Sequence, residues 1–147
     1  MARGSSLSDD RVIKAVNANF IAVDNNVTDQ GWPADTPALA PWQRWLENHP
    51  DNAQKGFTTS VVIAPDGVMS LGTSGSGYIY EWHTSVCYDP DKYLGFLNGS
   101  LQKYRDYQTI MAEPNPFKRG AKTLQLVRDV AMENRSRSHP PAAAGQH

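Results

Sequence analysis

The stretch from Thr59 to Leu71 constrains this 147-residue chain more than any other. Thr59 to Ala64 is β-branched and apolar, Pro65-Asp66-Gly67 is turn chemistry, and Val68 to Leu71 resumes an alternating apolar pattern. Proline presets φ, aspartate hydrogen-bonds nearby backbone and glycine accepts positive φ, so the pattern predicts a tight antiparallel hairpin. Helical patterns stand on both sides of it. Ser8 ahead of Asp9 and Asp10 is a helix start, since the hydroxyl caps a free N–H and the carboxylates complement the positive end of the dipole. Val12, Ile13 and Val16 then fall on one face of a helix over residues 8–18. Asp89-Pro90 pairs an N-cap with a first-turn proline, and Tyr93, Leu94, Leu97, Leu101 and Tyr104 follow at spacings of three and four.

The remaining segments are read in the same way. Phe20 to Val23 is a short apolar run bounded by polar residues, the pattern of a strand buried on both faces. Leu39, Trp42, Trp45 and Leu46 predict a short helix with an aromatic face, preceded by a loop over 29–37 rich in glycine and proline. Asn115-Pro116 interrupts the later helical pattern, after which Leu124, Val127, Val130 and Ala131 predict an amphipathic helix over 121–133. The final NRSRSHPPAAAGQH has nothing to bury and is expected to be disordered.

Charge is distributed unevenly. Residues 1–100 hold six Lys/Arg against eleven Asp/Glu, and residues 101–147 hold eight against four. The basic end could mark a nucleic-acid or anionic-membrane contact, but no basic stripe is interleaved with aromatics, so a solvated helix and a loose tail are the favoured reading and no nucleic-acid partner is expected. No run approaches the ~18 apolar residues of a membrane span, and MARGSSLSDD lacks the apolar core of a signal peptide. As written, the chain is expected in the cytoplasm.

Three blocks in this order resemble the thioredoxin-like proteins of the thiol–disulfide interchange and spermatogenesis-associated types. They are LSDDRVIKAVNANFIAVDNN, GFTTSVVIAPDGVMSLG and the helix that starts at Asp89, together covering residues 7–107. The resemblance implies an α/β fold, a thioredoxin-like three-layer sandwich that is N-terminally incomplete. Its domain would span 1–110, followed by a C-terminal helical extension over 111–134 and a disordered tail over 135–147. Two departures bear on function. The family's C-x-x-C would fall just before or at Met1, and nothing in MARGSSL replaces it. Thr58 stands where the family carries a cis-proline, and a cis bond there would cost about 2.5–4 kcal/mol, so a trans bond is expected. The family's first strand is missing as well, which leaves sheet backbone unpaired unless another segment fills the gap or the chain is a fragment.

A lone cysteine cannot run two-cysteine exchange, and Cys87 is the only one. It sits ahead of the Asp89 cap, where helix N–H groups favour a thiolate, so one-cysteine peroxide or glutathione chemistry is one candidate. The plainer reading is a small half-buried hydrophobe. His83 and Cys87 are two ligands where zinc needs three or four, so no metal site is expected. GTSGSG lacks the lysine of a phosphate loop, and no cofactor is expected. Trp32, Trp42, Tyr80 and Trp82 supply ring surface which, with Thr58 and Thr59 of the altered docking loop, forms a candidate peptide-binding groove. The leading expectation is a redox-inactive thioredoxin-like module that binds a polypeptide or protein partner. The competing one is a thiol–disulfide oxidoreductase truncated at its N-terminus, with a periplasmic or secreted location, and the third is one-cysteine chemistry at Cys87.

Overall fold

The protein is described from a computed structural model, whose described residues are 6–22, 60–74, 86 and 89–138. Over these residues the fold is mixed α/β and mostly helical. It comprises helix α1 (Asp10–Asn19), strands β1 (Val61–Ile63) and β2 (Ser70–Thr73), and helices α2 (Pro90–Met111) and α3 (Pro116–Ser138).

Helix α1 begins one residue later than Ser8 would place it. Asp9 is extended and its carboxylate accepts from the Arg11 N–H at 2.9 Å. The same carboxylate takes two further bonds from the Arg11 guanidinium, a charge-assisted arrangement that a serine hydroxyl cannot offer. Val12 is buried and Val16 half-buried, whereas Ile13 lies one residue round the helix and is 42% exposed. The buried strand expected from Phe20 does not form over residues 20–22. Phe20 instead caps α1 through its N–H to the Val16 carbonyl and packs against the cluster formed by Val12 and the α2 side chains, while Ile21 is 95% exposed.

The hairpin forms as expected, with its second strand displaced. Val61 opposes Thr73, Val62 opposes Gly72 and Ile63 opposes Ser70, with a bulge between the last two pairs. The turn is closed by Gly67 N–H to Ala64 O and by Val68 N–H to the Asp66 carboxylate, and Gly67 takes the positive φ of 70° that the sequence assigns to glycine. Because of the bulge, β2 reaches into Gly72-Thr73, which the sequence reads as loop. Val68 is left in the turn, largely exposed.

Asp89 caps α2 by accepting from the Asp91 and Lys92 amides, with Pro90 in the first turn. The helix buries Tyr93, Phe96, Leu97, Ser100, Lys103, Tyr107 and Ile110 along one stripe. Asn115 caps α3 by accepting from the Phe117 and Lys118 amides, so the helix starts at Pro116 rather than near 121. Its inward face is also not the expected one. Leu126 and Val130 are buried, whereas Leu124 and Val127 are 51% and 45% exposed. The helix continues to Ser138, into the segment expected to be a disordered tail, because Asn134 and Arg137 bond to β2.

Two apolar clusters hold these elements together. Ala64, Met69 and Leu71 of the hairpin pack with Tyr107 and Ile110 of α2 and Leu126 and Val130 of α3. Val12 of α1 packs with Val86 and with Tyr93, Phe96 and Leu97 of α2. Val62 touches both clusters and joins them. Leu126 and Val130, within the extension expected over 111–134, thus share a core with the hairpin.

Candidate functional site at the open end of the hairpin

Ser60 and Ser74 stand where the two hairpin strands part, opposite the turn. The Ser74 amide donates to the Ser60 carbonyl, and the Ser60 amide donates to the Ser74 hydroxyl, both at 2.9 Å. The Ser60 hydroxyl lies 2.7 Å from the Tyr93 hydroxyl in the first turn of α2. A tyrosine whose ring is buried in the core can hold its polar tip at a fixed place, and Tyr93 is 5% exposed with its ring 5.6 Å from that of Phe96.

The starts of α1 and α2 meet at the same end. Arg11 bridges them, bonded to Asp9 of its own cap and to Asp91 at 2.8 Å. The Arg11 hydrogen bond holds the Asp9 carboxyl below its ordinary pKa, and the two carboxylates push the arginine up. These charges are exposed, so the bridge orients the helix ends more than it stabilises them.

The outer edge of β2 is closed by side chains from α3. Thr73 opposes Val61 and turns its amide and carbonyl away from β1. The amide donates to Asn134 Oδ1 and the carbonyl accepts from Arg137 Nε, each at 2.9 Å. Two side chains one helical turn apart thus supply the acceptor and donor that a neighbouring strand would supply. Arg137 is fixed on three further sides: its guanidinium lies 5.3 Å from the Phe96 ring centroid, bonds Asn134 Oδ1 and pairs with Glu133. Burial lowers the Arg137 pKa, and Glu133, which also binds Lys103, opposes that shift. The close fit requires Gly72 beneath it, because a Cβ there would lie 3.0 Å from Ser100 Oγ and 3.3 Å from both Arg137 and Phe96.

Every residue nominated from the sequence lies outside the described residues: Cys87, Trp32, Trp42, Thr58, Thr59, Tyr80 and Trp82. Their points of attachment lie within the described residues. Thr59 precedes Ser60, residues 75–82 follow Ser74, and Cys87 follows the buried Val86. Sequence reasoning passed over Ser60, Ser74, Asn134 and Arg137. The serines carry no pattern of their own, and the last two sit in a polar stretch where periodicity has no apolar residue to mark a face.

Among the described residues there is neither histidine nor cysteine, and no group of three His, Cys, Asp or Glu side chains is placed to hold a metal ion. The Ser60–Tyr93 pair joins two hydroxyls and ties the start of the hairpin to the first turn of α2. No described helix is long and apolar enough to cross a membrane. No family model, curated protein or solved structure matches the chain.

Proposed function

We propose that the chain is a thioredoxin-like module without a redox dithiol, which binds an extended polypeptide or a partner protein at the open end of the hairpin. One observation carries the reading. The segments bearing Thr58–Thr59 and Tyr80–Trp82 both leave the hairpin from the Ser60–Ser74 pair, which Tyr93 pins beside the starts of α1 and α2. A resemblance to thioredoxin-like proteins in the order helix, hairpin, helix supports it further, as does the packing of α1 on the helix that follows the hairpin.

The four tryptophans make the test direct, since all lie in the segments nominated for the groove or next to them. Titrating the protein with an unfolded, reduced and alkylated polypeptide should change tryptophan emission saturably. Trp32→Ala and Trp82→Ala should each weaken binding about tenfold, as anchor residues do. Cys87→Ser should leave binding unchanged. No saturable change, or binding indifferent to both tryptophans, would sink the proposal, and an activity abolished by Cys87→Ser would move it to one-cysteine chemistry.

A second reading is a thiol–disulfide oxidoreductase whose dithiol precedes this segment in a longer product. Ser6 favours it: the residue is fully buried at the approach to α1 and its hydroxyl has no hydrogen-bond partner. The resemblance puts the dithiol turn just ahead of that point. Disulfide reduction by the native full-length product, lost on replacing an upstream cysteine, would decide for this reading over the first.

A further inference from the structure

Helix α3 has two faces, and the packing among the described residues buries one of them. The row Phe117, Leu124 and Ala131, seven residues apart, lies opposite the buried Leu126 and Val130. Phe117 is 87% exposed, and Leu124 and Val127 are about half exposed. Beside this row runs a second at the same spacing, Ala121, Arg128 and Arg135, all exposed. Met132, 69% exposed, widens the face. The acids of α3 lie elsewhere: Glu133 pairs with Lys103 and Arg137, and Asp129 accepts from Gln125. The outward face is therefore apolar and basic over about 27 Å, with no carboxylate on it.

We propose that this face is a peripheral docking surface for an anionic lipid bilayer. Charge complementarity selects the occupant. The row carries two arginines while the carboxylates of α3 lie off it, so it calls for an anionic occupant. An anionic bilayer answers both features at once: headgroups neutralise the arginines, whose stems lie along the surface, while Phe117, Leu124 and Val127 enter the acyl boundary.

The test is co-sedimentation of the whole chain with vesicles of phosphatidylcholine alone and of phosphatidylcholine with about one third phosphatidylserine. Binding is expected on the anionic vesicles only, and it should fall as salt is raised. Arg128→Gln and Arg135→Gln should each weaken it about fivefold, and Phe117→Ser should weaken it about tenfold. Ile21→Ser, at an equally exposed apolar residue on another element, should leave it unchanged. The substituted residues are exposed, so circular dichroism should match the parent protein. Failure to bind anionic vesicles overturns the proposal, as does equal binding to both compositions or equal sensitivity to Ile21→Ser. Self-association without lipid that Phe117→Ser abolishes would assign the face to a second copy instead.

Discussion

The two ends of the hairpin are held by different physics. At the turn end Ala64, Met69 and Leu71 are buried against Tyr107, Ile110, Leu126 and Val130, and the polar tie is the Tyr107 hydroxyl donating to Asp66 at 2.7 Å. At the open end Ser60, Thr73 and Ser74 are held by Tyr93, Asn134 and Arg137 through hydrogen bonds. Apolar burial is non-directional and tolerates small shifts, whereas each amide and carbonyl at the open end needs its own partner at its own angle. The turn end thus anchors the hairpin through its core, and the open end fixes Ser60 and Ser74 through directional bonds.

Substitutions should separate these two modes of support. The largest effect is expected at the turn end, where Leu71→Ala removes a side chain only 2% exposed and should lower the unfolding free energy by about 2–5 kcal/mol in a denaturant titration. A loss well under that range would mean the apolar end is not the anchor. At the open end Asn134→Ala leaves the Thr73 amide without its acceptor, and about 1–3 kcal/mol should be lost. Hydrogen exchange at Thr73 should accelerate more than at Ala64, and uniform acceleration would erase the distinction between the ends.

Gly72→Ala probes the fit beneath Arg137. The new methyl meets Ser100 Oγ first, so a cost of about 1–3 kcal/mol is expected. Ser100→Ala removes the obstructing oxygen, which is itself a buried hydroxyl with no hydrogen-bond partner. In that background Gly72→Ala should cost less, which a double-mutant cycle measures.

The smallest effect expected is the Tyr107–Asp66 bond, about 1 kcal/mol on Tyr107→Phe near neutral pH. Burial pushes the Asp66 carboxyl up, but donation from the Val68 amide, the Tyr107 hydroxyl and the Met69 amide outweighs it and holds the carboxyl below 3.8. Burial and the bond to Asp66 push the Tyr107 hydroxyl up to about 12. A lowered carboxyl contributes stability that is full above its unfolded pKa and fades as pH falls through the folded value. A raised phenol contributes stability that is full below 10.0 and fades as pH climbs toward about 12. A stability profile against pH should flatten at both ends in Tyr107→Phe, and an unchanged profile would remove this bond from the comparison.

Elements whose signals are local were legible in the sequence. Pro65-Asp66-Gly67 makes its turn with its own backbone and side chains, and Asp89-Pro90 caps α2 with atoms no more than three residues away. The face that α3 buries was not legible. Leu124 with Val127 and Leu126 with Val130 both satisfy helical spacing, and only the position of the hairpin selects the second pair. The end of α3 was missed for a related reason: Asn134 and Arg137 read as tail until Thr73, more than sixty residues earlier, gives them backbone groups to bond.

The candidate site divides along the same line. Its nominated residues were chosen for ring surface and a reactive thiol, and those lie outside the described residues, whereas the supports beneath them came only from the fold. The sequence by itself determined the hairpin turn, the start of α2 and the charge difference between the two parts of the chain, because each depends on neighbours along the backbone. Tertiary structure alone decided which helix faces are buried, how the edge of β2 is closed, and that an apolar and basic row on α3 is left facing outward. Those outcomes depend on distant backbone groups competing for the same side chains, and no local spacing records which of them wins.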